Sequence, residues 1–121
     1  MFGLFTKPKI KITNKPALID NLTRIIELLS DNAFTAQSDA VRRVLSPLIL
    51  DNDEAFMKAL NSVDMWGGAG AVWEVYGFET KENEREFYRL MLDLIILMKE
   101  IGIKNRHAYA LQTVFEKELK K

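Results

Sequence analysis

Residues 80–102 read TKENEREFYRLMLDLIILMKEIG, and this stretch decides the fold class. Phe87, Tyr88, Leu90, Met91, Leu92, Leu94, Ile95, Ile96, Leu97 and Met98 leave only a thin polar stripe at Arg89, Asp93 and Glu100. The pattern predicts a helix over about 80–101. Its acidic first turn, Glu82 and Glu84, suits the positive end of the helix dipole. Gly102 is a natural stop at the other end. A helix apolar nearly all round is buried nearly all round, so this segment reads as the central helix.

The flanking segments carry the same period. Pro16 is tolerated at a first helical position, and Leu18, Leu22, Ile25, Ile26 and Leu29 then follow one helical face. Ser30-Asp31-Asn32 ends that run. A second helix is expected over 34–45, with Val41, Val44, Leu45 and Leu48 on one stripe. Pro47 disfavours a helical Ser46, so the helix should stop or kink there. Asp51 can cap a third helix, with Glu54 in capping-box position. Phe56, Ala59 and Leu60 make its inner face, and it should end near Asn61-Ser62. A last helix begins near Asn105 or Arg106, with Ala108, Leu111, Val114, Phe115 and Leu119 as its apolar stripe. Residues 9–13 alternate polar and apolar, which reads as a short strand or extended arm.

The expectation is one all-α domain spanning 1–121: about five helices packed around the helix over 80–101, with 1–15 as an extended N-terminal arm. The 121 residues, 48% hydrophobic and 28% charged, fit one folded domain rather than a disordered chain. Seventeen basic and seventeen acidic side chains cancel, so net charge selects neither nucleic acid nor an anionic membrane. There is no cysteine and only one histidine, His107. Disulfides, thiolate zinc sites, thiol catalysis and two-histidine mechanisms are therefore excluded within one chain. No metal and no cofactor is expected. His107 sits in the first turn of the last helix and reads as a surface residue. The N-terminus lacks a secretion signal, and the longest uninterrupted apolar run, 94–98, is far below the ~20 residues of a spanning helix. A cytoplasmic protein is expected. Phe2, Leu4 and Phe5 read as folding back onto the domain, or as an apolar patch for oligomerisation.

Residues 63–79 break the helical pattern. Asp64-Met65-Trp66-Gly67-Gly68-Ala69-Gly70-Ala71-Val72-Trp73-Glu74 is the densest unusual feature of the chain. Its glycines permit positive φ and close backbone approach, and bare N–H groups can cradle an anion. Yet no Lys-Ser/Thr follows, and Trp73 stands where a dinucleotide fingerprint needs a third glycine. Two other readings remain. The loop is a tight inter-helix turn packing Trp66 and Trp73 against the central helix, or it is a recognition loop, since tryptophan is favoured at binding hot spots. One tryptophan should be core and one accessible, with Trp73 the core residue because 72–78 is the more apolar side of the glycines. Asp64 and Glu74 flank the loop, and paired carboxylates can do acid–base chemistry, although no further catalytic signature accompanies them.

Charge is unevenly spread. Residues 1–16 sum to +4, 17–50 to −1, 51–86 to −6 and 87–121 to +3. An acidic segment around an aromatic glycine loop suits a basic partner. The basic ends lack the aromatic face of a nucleic-acid binder.

The stretch 66–74 resembles a W-G-G-x-G-S-x-x-D motif of small bacterial proteins, some of them similar to immunity proteins of polymorphic toxin systems. Trp66, Gly67, Gly68 and Gly70 match; Ala71 stands in place of serine and Glu74 in place of aspartate. The resemblance implies a bacterial cytoplasmic protein that binds and neutralises, or otherwise partners, another protein; alanine at position 71 argues against a hydroxyl-dependent role there. The leading expectation is thus a non-enzymatic protein-interaction domain, an immunity protein for a basic toxin domain, with Asp64, Trp66, Gly67, Gly68, Gly70, Trp73 and Glu74 as its contact surface. The alternatives are a small enzyme or ligand binder using the loop with Asp64 and Glu74, and a structural or regulatory subunit, including a homo-oligomeric one.

Overall fold

A computed structural model describes residues 11–121. The helices are α1 Lys15–Asp31, α2 Thr35–Ile49, α3 Asp53–Leu60, a single turn α4 Val63–Trp66, α5 Lys81–Ile101 and α6 Arg106–Leu119. A 3-10 turn spans Val72–Glu74. The fold is all-α: five full helices and one short turn, with no strand among the described residues.

The expected arm falls largely on residues 1–10, outside the described residues, as do Phe2, Leu4 and Phe5. Residues 11–14 precede the first helix without helical structure, and Ile12 is buried. Lys15 is helical rather than part of an arm, and its ammonium bridges Asp51 at 2.8 Å and Asp53 at 3.0 Å. Those two carboxylates hold its pKa above the ordinary lysine value.

The face expected of α1 is buried as read, with Leu18, Leu22, Ile25, Ile26 and Leu29 inside. Asn21 joins them and donates to the Leu90 carbonyl of α5 at 2.9 Å. Past the helix end, Asn32 donates to the Leu28 carbonyl and accepts from the Glu79 N–H, tying α1 to the approach of α5.

Two boundaries differ from the sequence reading. The second helix runs on through Pro47 to Ile49. A proline costs one backbone bond there, but Leu48 is fully buried and holds the last turn against the core. The cap of α3 is Asn52, not Asp51: its side chain accepts from the Ala55 N–H at 3.1 Å. Asp51 instead adopts φ 57°, in the left-handed region, where Asn and Asp are the commonest non-glycine residues, and faces Lys15.

The ends of α5 form as the sequence predicts. Thr80 caps it by accepting from the Asn83 N–H at 3.0 Å, and Gly102 closes it at φ 90°, a conformation that favours glycine. Asn105 caps α6 through the Ala108 N–H.

Packing follows the order α3, α2, α1, α5, α6, each helix against the next. The interior is therefore shared by α1 and α5. Helix α5 buries Phe87, Leu90, Met91, Leu94, Ile95 and Met98 on one side, but Ile96 is 39% exposed. Its apolar surface is wider than the two neighbouring helices cover. A run of aromatic contacts, Phe34 to Phe78 to Phe87 to Tyr88 to Phe115, crosses from the α1–α2 corner to α6 with ring centroids 4.9–6.0 Å apart. Such offset and edge contacts add to the area they bury. No helix among the described residues is long and apolar enough to cross a membrane.

Candidate functional site: the glycine-rich loop and its cleft

The loop is built by hydrogen bonds from side chains to backbone. Trp66 ends α4 and lies 4% exposed, its indole N–H donating to the Leu60 carbonyl at 2.8 Å. This anchors the loop to the end of α3. The chain then turns at Gly67, whose N–H returns to the Val63 carbonyl at 2.8 Å. A Cβ on Gly67 would stand 2.6 Å from that same carbonyl oxygen, so only glycine fits. The Trp73 indole N–H reaches back to the Gly67 carbonyl. The Ala71 N–H bonds to the Gly68 carbonyl at 3.0 Å, with Gly70 at φ 86°, the positive φ of a type II turn at its third position. The Gly70 carbonyl accepts from the Gln37 amide of α2 at 3.2 Å.

The tryptophans exchange the roles expected of them. Trp66 is the core residue and Trp73 is half-buried. The 3-10 turn explains the inversion. Side chains three apart eclipse in such a turn, so Val72 and Val75 share the inward side and are both buried. Trp73, one residue on from Val72, lies to the flank. The apolar stretch 72–78 does send side chains into the core, but they are its valines and not its indole.

The structure divides the expected site residues into two groups. Trp66, Gly67, Gly68 and Trp73 line one wall of an open cleft of about 680 Å³. The facing wall is α6, through Arg106, His107, Ala110 and Leu111. Asp64, Gly70 and Glu74 do not line it. Asp64 points to solvent, 3.8 Å from the Arg43 guanidinium of α2, and Glu74 is exposed. Ala71, where the resembling motif has serine, is buried.

Arg106 and His107 are the site residues that the sequence reading missed. Residues 107, 110 and 111 have the spacing of one helical side, so their sharing a wall was readable. That this side meets the glycine loop was not, because the two segments are over thirty positions apart. No acidic side chain lines the cleft. Among the described residues no cluster of His, Cys, Asp or Glu is arranged to hold a metal ion.

Around the outer side of the loop the chemistry is different. Val63 is 79% exposed and Tyr76 85% exposed, and they bracket the exposed acids Asp64 and Glu74. Val63 and Asp64 sit on α4 and Glu74 on the 3-10 turn, which pack together and against α2; Tyr76 follows two residues past that turn. Compared with known protein families, with curated proteins and with solved structures, the chain matches none.

Proposed function

We propose that this chain is a non-enzymatic protein-interaction domain whose contact surface is the outer side of the loop. In its specific form it is a bacterial cytoplasmic immunity protein that neutralises a basic toxin domain. One observation carries the reading: two large apolar side chains, Val63 and Tyr76, stand almost fully in solvent, one next in the chain to the exposed Asp64 and the other two residues past the exposed Glu74. Tyrosine is a preferred interface anchor, and exposed acids around it favour a basic partner through faster encounter. The −6 charge of residues 51–86 supports the same partner chemistry, and the motif resemblance is the ground for the immunity form of the reading. The lack of any cysteine suits a reducing compartment.

The enzyme alternative draws less support. Asp64 lies beside Arg43, and neither Asp64 nor Glu74 reaches the cleft.

A photo-crosslinking residue at Tyr76, with Thr113 on α6 as control position, tests the reading in cells. The expected result is one basic protein captured at 76 and not at 113. With that protein purified, Tyr76→Ala should weaken binding by about 2 kcal/mol or more and leave thermal melting unchanged. Asp64→Lys should slow association, less so at high salt. Unchanged affinity in Tyr76→Ala would end the proposal.

A further inference from the structure

The inner side of the loop has its own chemistry, opposite in sign to the outer side. Two indoles, bare glycine backbone and the apolar side chains of Ala110 and Leu111 form the walls of the cleft, and Arg106 and His107 bring basic groups to it. The surrounding sequence is strongly acidic, yet no carboxylate lines the cleft. None of the ion pairs among the described residues engages Arg106. Of the other arginines, Arg24, Arg42, Arg43 and Arg89 have acid partners and Arg85 donates to the Leu119 carbonyl, whereas several lysines, like Arg106, have no acid partner among the described residues. A guanidinium with no acid partner among the described residues, on the lining of an open cleft that also carries Trp73 and Leu111, matches a carboxylate carried on an aromatic body. The planar fork pairs with a carboxylate through two parallel hydrogen bonds, and the aromatic walls take the ring.

We infer that this cleft binds a small aromatic carboxylate, with Arg106 pairing its acid group and Trp73 packing against its ring. Gly68 keeps the slot open. Gly68 lines this wall, and a Cβ there meets no atom within 4 Å, so a larger side chain is accommodated without straining the loop. The inference does not rest on the partner surface, because it uses the opposite wall of the loop and different residues.

Phenylacetate is the probe, with neutral phenylacetamide as its match. The readout is the pair of indole N–H signals, one for each of the two tryptophans, together with the Gly68 amide, in nitrogen–proton correlation spectra. Phenylacetate should shift the Trp73 and Gly68 signals along a common saturable curve. Phenylacetamide should bind at least about tenfold more weakly, the loss of one charge-assisted pairing. Arg106→Gln should lower phenylacetate affinity by a similar factor with unchanged melting, since Arg106 is exposed. Gly68→Leu should abolish the shifts while the rest of the spectrum stays native. Equal binding of acid and amide, undiminished binding by Arg106→Gln, retained binding by Gly68→Leu, or the absence of a saturable shift would each overturn the inference.

Discussion

The seam between α1 and α5 and the loop over 63–79 are held together by different means. Along the seam, Leu18, Leu22, Ile25, Leu94 and Ile95 are fully buried, and one polar contact, Asn21 to the Leu90 carbonyl, crosses between them. In the loop, three side chains donate to carbonyls: Trp66 to Leu60, Trp73 to Gly67 and Gln37 to Gly70. Burial is non-directional and scales with area. Hydrogen bonds fix the direction of a segment but add only about 1 kcal/mol each. The seam therefore supplies stability, and the loop supplies shape: an acidic apolar outer side and a basic-edged inner cleft, held by a few directional contacts.

The largest expected effect lies in the seam. Leu94→Ala should cost about 2–5 kcal/mol, measured as a shifted denaturation midpoint with an unchanged slope. A loss under about 0.5 kcal/mol would mean that this face is not packed as described. Trp66→Ala should cost about 3–5 kcal/mol, with Trp73→Ala well below it because that ring is only half-buried. Equal losses at the two tryptophans would break the distinction between core indole and wall indole.

A sharper contrast separates neighbouring glycines. Gly67→Ala drives a Cβ against the Val63 carbonyl oxygen, and an overpacked site of this kind costs about 1–3 kcal/mol. Gly68→Ala enters open space and should stay within about 0.5 kcal/mol of the parent. The reverse order in thermal melts would show that the loop follows a different path.

The smallest effect is electrostatic. Burial, with Glu86 nearby as a second cause, raises the Asp93 carboxyl above its ordinary value. The folded chain then holds this proton more tightly than the unfolded chain. Stability from this group is present below the unfolded pKa and falls as pH rises from there through the folded pKa. Asp93→Asn should therefore flatten the acid side of the stability profile and be slightly more stable than the parent at neutral pH. A neutral-pH loss would mean that the Asp93 carboxylate has a favourable partner when charged.

Much of the fold was legible because helices announce themselves locally. The 3.6-residue period placed the buried faces of α1 and α5, Gly102 marked the end of α5, and the expected starts near 80 and 105 fall on Thr80 and Asn105, whose side chains cap α5 and α6 through neighbours three residues away. The misreadings came where distant contacts overrode local preference. Pro47 stays inside α2 because Leu48 is packed in the core, and the cap passes from Asp51 to Asn52 while Lys15 takes Asp51. A half-exposed Ile96 shows why apolar content alone could not place α5 at the centre. Burial depends on how many neighbours surround a helix, and that number is set by topology.

The candidate site divides along the same line. The sequence by itself determined that 63–79 would be irregular, rich in glycine and aromatic side chains, and set in an acidic segment, because these are properties of composition and of glycine's freedom at positive φ. Only the tertiary structure decided which tryptophan is buried, that Gly67 rather than Gly68 is sterically required, and that Arg106 and His107 stand across a cleft from the loop. Each of those depends on segments that meet in space after being far apart along the chain: α4 against the 3-10 turn, and α6 brought round by α5. Local sequence encodes the shape of each piece, whereas the pairing of pieces is settled by the shared burial of many faces at once.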